Sequence, residues 1–125
     1  MRYVIIAIVF IILLAGCQSN KENEVINEHN DFTNIERLDQ FVENIKNGIE
    51  DEIVFIQYGV EVQEARNTLT YNGNQINVTN HSDGDFIEEY DCEDLLSESN
   101  EDLTTYTLKG CMGLPHDYEL VAVPK

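Results

Sequence analysis

Tryptophan is absent from this 125-residue chain, and basic side chains are scarce: seven Lys and Arg stand against 24 Asp and Glu, a net charge of −17. The first absence removes the indole platform on which sugar rings stack. The second excludes nucleic acid as a partner, because binding to phosphates rests on Lys and Arg. It also means that charge alone would repel the chain from an anionic membrane surface. No Gly-x-Ser-x-Gly elbow is present, which removes the commonest signature of a serine hydrolase. Only three cysteines occur, and neither Cys92 nor Cys111 has a Cys or His at zinc-ligand spacing. No internal repeat and no second domain can be read.

What is present starts with Arg2 and an unbroken apolar run from Val4 to Ala15. As a helix that run would span about 18 Å at 1.5 Å per residue, against a hydrocarbon core of about 30 Å. A short positive segment followed by an apolar run of this length reads as a secretory signal peptide. Leu14-Ala15-Gly16-Cys17 resembles the lipobox of bacterial lipoproteins. The resemblance implies a signal peptide over 1–16, cleaved before Cys17, and a diacylglyceryl thioether on Cys17. Two or more acyl chains anchor a protein stably, whereas one is marginal. The alternative is an uncleaved anchor with an incidental cysteine. Residues 17–24 then read as lipidated cysteine and flexible tether, and 25–125 as one small domain on the extracytoplasmic face of the membrane.

Cleavage leaves 109 of the 125 residues, with 6 basic and 24 acidic side chains and a net charge of −18. Cations, basic proteins and cationic ligands are the partners this charge would attract. The plainer alternative is that it keeps a surface protein soluble. With Cys17 taken by lipid, Cys92 and Cys111 form an even pair in an oxidising compartment, which reads as a disulfide. Two unpaired buried thiols are the other reading. A bridge would close a loop of about twenty residues, worth roughly 3 kcal/mol in the chain-entropy view.

One helix and several strands can be read along the chain. Thr33 and Glu36 have capping-box spacing, with Thr33 as N-cap. Ile35, Leu38, Phe41, Val42, Ile45 and Ile49 recur at helical spacing, and Gly48 suits the left-handed residue that ends a helix. Val25-Ile26 suggests a short first strand. Glu52 to Val60 is β-branched and aromatic and reads as a central strand. Asn72-Gly73 predicts a type I′ hairpin between strands at about 65–71 and 74–79. Residues 80–86 read as a turn-rich loop, Phe86–Asp91 as a strand, and 93–102 as acidic and irregular with a helical turn near Leu95-Leu96. Leu103–Lys109 and Tyr118–Val123 read as the last two strands. The fold expected is α+β: one amphipathic helix on an antiparallel sheet of about five strands, with one disulfide.

The disulfide constrains this picture. In a plain hairpin Cys92 and Cys111 would lie at opposite ends of seven-residue strands, over 20 Å apart at about 3.3 Å per residue. A bridge needs Cα atoms about 5.5 Å apart, so either residues 93–102 run back along the sheet or the two strands are not neighbours in simple register.

Several segments, "VINEH", "NIERLDQFVENIKNG", "YNGNQI", a cysteine and then "TTYTLKGC", resemble the uncharacterised lipoproteins of Bacillus-type Gram-positive bacteria catalogued as domain of unknown function 4362. The resemblance implies the lipid anchor, the Cys92–Cys111 pair and the fold, and brings no activity with it.

Candidate chemistry is thin. His29, His81 and His116 lie far apart in polar segments, and none has an evident partner for general-base work. Carboxylates are abundant at Glu88, Glu89, Asp91, Glu93, Asp94, Glu98, Glu101 and Asp102, but abundance alone selects no pair at the separation a glycosidase needs. Calcium is the sharper alternative: "NHSDGDFIEEYDCED" sets Asn80, Ser82, Asp83, Asp85, Glu88 and Glu89 around Gly84, and hard cations take six to eight oxygens. The EF-hand template fails, since with Gly84 at position six position twelve is Tyr90. The reading that results is a non-enzymatic, lipid-anchored binding or interaction module with no cofactor, met by a basic protein or cationic ligand. A calcium-dependent module built on the 80–94 loop (Asp83, Asp85, Glu88, Glu89) is the alternative, and a small hydrolase a distant third.

Overall fold

The computed structural model describes residues 20–60, 63–114 and 116–125. Cys17 and the apolar leader lie outside the described residues. Among the described residues nine strands form two sheets around one helix. A 3-10 turn, Asn20–Asn23, leads into β1 (Glu24–Glu28) and β2 (Asp31–Thr33), followed by α1 (Ile35–Lys46). Then come β3 (Asp51–Tyr58), β4 (Ala65–Tyr71), β5 (Ile76–Ser82), β6 (Asp85–Cys92), β7 (Asp94–Ser99), β8 (Leu103–Lys109) and β9 (Tyr118–Pro124). The large sheet has the order β2-β1-β3-β4-β5-β6, and the small one is the meander β7-β8-β9. The chain is therefore mostly β, and the expectation of one helix on a five-stranded antiparallel sheet is corrected. β1 also pairs parallel to β3, with β2 and α1 carried in the crossover between them.

Two segments account for most of the difference. Residues 80–85 look like a loop because they are polar, yet β5 runs on to Ser82 and only Asp83-Gly84 turns. Residues 93–102 look irregular because they are acidic, yet β7 pairs with β8 from Asp94↔Lys109 to Ser99↔Thr104. Leu95 is the anchor, fully buried among the core residues. The solvent face of a sheet has no need of apolar residues, so neither segment shows a strand's alternation along its whole length.

Turn chemistry also departs from the sequence reading. Asn72-Gly73 does not make a two-residue type I′ turn. The last β4–β5 pair is Tyr71↔Ile76, leaving a four-residue loop in which Asn72 Oδ1 accepts the N–H groups of Asn74 and Gln75. The Asx bond satisfies those donors, so Asn72 keeps an ordinary negative φ while Gly73 takes φ +92°. The tight turns lie elsewhere. His29-Asn30 joins β1 to β2 with φ of 53° and 70°, and Asp83-Gly84 joins β5 to β6 with 50° and 88°, the positive pair that a type I′ turn requires.

At the start of α1 the capping box does not form. Thr33 is held in β2 opposite Ile26. Asn34 stands at the N-cap in the left-handed region, φ 63° and ψ 33°, without a side-chain cap bond. Its amide instead donates to the carbonyls of Glu22 and Glu24, each at 3.1 Å. The C-terminus is as expected. Gly48 N–H donates to Ile45 O and Ile49 N–H to Asn44 O, the paired bonds of a Schellman motif.

Leu38, Phe41, Val42 and Ile45 drive the buried stripe of α1 into a single core. Val25, Ile53, Phe55, Leu69, Tyr71, Ile76 and Val78 meet it from the large sheet, and Leu95, Tyr106, Leu108, Leu120 and Val121 from the small one. Each such side chain contributes about 1.5–3 kcal/mol on burial. Ile49, at the end of the helical pattern, is exposed.

A polar clamp fixes the helix to β3. Arg37 Nη1 and Nη2 donate to Asp51 Oδ2 and Oδ1 at 2.9 and 2.5 Å, and Asn44 donates to Asp51 Oδ2 at 2.9 Å. Arg37 also reaches Asn23 Oδ1 at 3.2 Å, tying down the N-terminal turn. Burial pushes the Asp51 carboxyl up, but bonds from Arg37, Asn44 and the Glu52 N–H outweigh it and hold the group below the ordinary 3.8.

Cys92 and Cys111 are bridged, with Cα atoms 3.9 Å apart. β7 leaves from Cys92 and β8 returns to Cys111, so the open end of the β7–β8 hairpin brings the cysteines together. The run-back expected of residues 93–102 is what β7 and its turn supply.

Two outcomes are expected. Alkylation of the denatured, unreduced protein should leave Cys92 and Cys111 unmodified, and the Cys92→Ala/Cys111→Ala variant should lose about 3 kcal/mol in urea unfolding. Modified cysteine at either position would contradict the bridge. A carboxylate with a lowered folded value adds stability that is complete above its unfolded value and is lost as pH falls through the folded one. Asp51→Asn should therefore cost about 1–3 kcal/mol at pH 7, with the gap to wild type closing below pH 3.8. A gap of equal size at pH 2.5 and pH 7 would show that Asp51 is not the linked group.

Candidate binding surface

The large sheet buries Leu69, Tyr71, Ile76 and Val78 against the helix, so the intervening residues of β4 and β5 project from the opposite face. Register sets Arg66 directly opposite His81, and Thr68 opposite Thr79. Glu64, Arg66, Thr68, His81 and Gly84 line a shallow cleft of about 230 Å³ on that face. Arg66 Nε is 3.0 Å from Glu64 Oε1. The His81 ring meets Phe86 edge-on, with centroids 5.9 Å apart and planes at 77°. Its Nδ1 is buried and has no hydrogen-bond partner among the described residues. Arg66 is the last Lys or Arg before Lys109, and the ten acidic residues between them lend the surrounding surface one sign of charge.

The histidines are not brought together. His29 sits in the β1–β2 turn, His81 on β5 and His116 in the exposed segment before β9. The carboxylates proposed for calcium lie on a hairpin instead of lining a loop. Asp83 Oδ1 accepts the Glu64 N–H at 2.9 Å, and the Asp83 N–H returns to Glu64 O at 2.8 Å, fastening the hairpin tip to the start of β4. Glu88 accepts from Asn80 at 3.1 Å and Glu89 from Thr79 at 3.2 Å. Neighbouring strand residues project to opposite faces, so Glu88 and Glu89 do not converge. Among the described residues no group of three or more His, Cys, Asp or Glu is placed to hold a metal ion.

β6 stands at the edge of the large sheet, and from Asp85 to Glu89 every residue is exposed. Phe86 and Ile87 are side by side and 60% and 59% exposed. Ile87 has no partner on β5: the register steps from Asn80↔Glu88 to His81↔Phe86, leaving it as the extra residue of a β-bulge. The far end of the strand is covered. The Met112 N–H donates to the Asp91 carbonyl at 2.9 Å. Backbone groups of alternate residues share a side of a strand, so the outward Asp91 carbonyl puts the N–H and C=O of Glu89 on the same outer edge.

A second cleft, of about 360 Å³, is lined by Glu50, Asp51, Glu52, Thr70, Tyr71 and Asn72. Its Asp51 carboxylate is committed to Arg37. Elsewhere, burial first and the Asp39 carboxylate second push the Tyr106 phenol well up, so it stays neutral and donates to Asp39. The Arg37–Asp51 clamp and the Arg66–His81 juxtaposition are both missing from the sequence reading. Reading the Asn72 loop as four residues would have paired Arg66 with His81. Nothing local pairs Arg37 with Asp51.

A family model described as "Domain of unknown function (DUF4362)" matches residues 22–107. The matched span holds β1 to β7 and most of β8, and it contains Cys92 but not Cys111. No curated protein and no solved structure matches the chain.

Proposed function

This chain belongs to the DUF4362 family, and from that premise we propose that it is a non-enzymatic interaction module, anchored by lipid at Cys17 and displayed on the extracytoplasmic face of the membrane. The observation that carries the interaction reading is the β6 edge, where Phe86 and Ile87 are both exposed on an acidic stretch that, among the described residues, has no strand on its outer side. Adjacent exposed apolar residues on a charged rim are the surface from which a partner excludes water. The anchor rests on Leu14-Ala15-Gly16-Cys17 and the apolar run before it. Among the described residues no helix is long and apolar enough to cross a membrane. The disulfide fits an oxidising compartment, and the acidic surface selects a basic partner.

Metabolic labelling with palmitate should mark the wild type and leave Cys17→Ala unlabelled; equal label on the variant would overturn the anchor. Melting curves in EDTA and in millimolar calcium should coincide, since the strand carboxylates point apart. A site filled at 100 times its dissociation constant would stabilise the fold by about 2.7 kcal/mol, so a calcium-selective rise of roughly 10 °C would favour the calcium-dependent module instead.

A further inference from the structure

The geometry points to β-strand addition at β6: we propose that the open stretch Asp85–Glu89 pairs with an extended segment of a partner protein in which Lys or Arg alternates with apolar residues. The inference rests on the interaction reading above and names both its mode and its partner. Three features converge. First, the edge is vacant. Among the described residues β6 has β5 on one side only, and the Glu89 N–H and C=O face outward. Such a row of unmet groups is a template for another strand, with main-chain bonds giving affinity and side-chain contacts giving specificity.

Second, the side chains along the edge are of two kinds, apolar at the centre and acidic on either side. Phe86 and Ile87 offer apolar area, and Asp85, Glu88 and Glu89 flank them. Opposite charges across a strand pair are favourable, and like charges directly opposite are unfavourable. A second copy of β6 would set carboxylates against carboxylates. The same edge that repels its own copy accepts a basic strand. Third, the field around the edge has one sign: β5, β6 and β7 contain no Lys or Arg. This draws cationic segments in and makes the encounter salt-sensitive. The Met112 contact at Asp91 closes the edge beyond the five exposed residues.

The test uses the full chain in detergent and a synthetic peptide about ten residues long that alternates Lys and Val. In low salt the peptide should bind and slow hydrogen exchange at the Glu89 amide. Methylating alternate peptide nitrogens keeps the charge and removes the main-chain donors, and it should weaken binding roughly tenfold or more. Glu88→Lys/Glu89→Lys should weaken it by a similar factor, whereas Glu22→Lys/Glu36→Lys, in the N-terminal turn and α1, should change it little. Binding that survives methylation, without protection at Glu89, would overturn strand addition and leave a general acidic interaction surface standing. No binding of either peptide would overturn both readings. Sedimentation showing self-association that the Glu88→Lys/Glu89→Lys variant abolishes would make the occupant a second copy and also overturn the proposal.

Discussion

The Cys92–Cys111 bridge is the constraint on which the two-sheet arrangement depends. Cys92 is the last residue of the large sheet, and Cys111 follows the central strand of the small one. A three-stranded meander is close to the lower limit for independent stability. The bridge removes the freedom of its central strand to leave, and the Met112 N–H bond to Asp91 repeats the link in the backbone. Held there, Leu95, Tyr106 and Leu108 close the side of the helix that the large sheet leaves open. The two sheets consequently share one core.

The other fixed point is charge. Few positive charges are available, and the structure places them at joints. Arg37 joins the N-terminal turn, the helix and β3, and Arg66 braces the start of β4 against Glu64. Each sits against a carboxylate that would otherwise add to the self-repulsion of a strongly acidic chain. Other carboxylates are hydrogen-bonded across strands, as with Glu88 to Asn80 and Glu89 to Thr79. The acidic stretch from Asp83 to Glu89 is extended as a hairpin. That extension creates the open edge at β6.

Local signals that stayed legible were those with a single geometric outcome. The helical stripe from Leu38 to Ile45 could face only one way, and Gly48 could end the helix because its φ of 68° suits glycine. The apolar strand Ile53–Ile56 had to be central. Signals with two outcomes were decided by neighbours. Thr33 and Glu36 could have capped α1, but the pairing of Thr33 with Ile26 took Thr33 into β2 and left Asn34 at the helix start. Asn-Gly and Asp-Gly both favour a tight hairpin, and only Asp83-Gly84 makes one, because the Asx bonds of Asn72 hold a wider loop.

By itself the sequence determined the helix and its buried face, the central strand, the acidic character, the lipobox-like ending at Cys17 and the pairing of two cysteines. These are properties of adjacent residues or of composition, and no distant contact is needed to express them. Only the tertiary structure decided that β1 lies parallel to β3, that residues 94–99 form a strand, that Arg37 meets Asp51, and that β6 stands at an edge with Phe86 and Ile87 exposed. Each of these depends on which segments become neighbours. A polar strand is distinguishable from a polar loop only by the backbone that pairs with it.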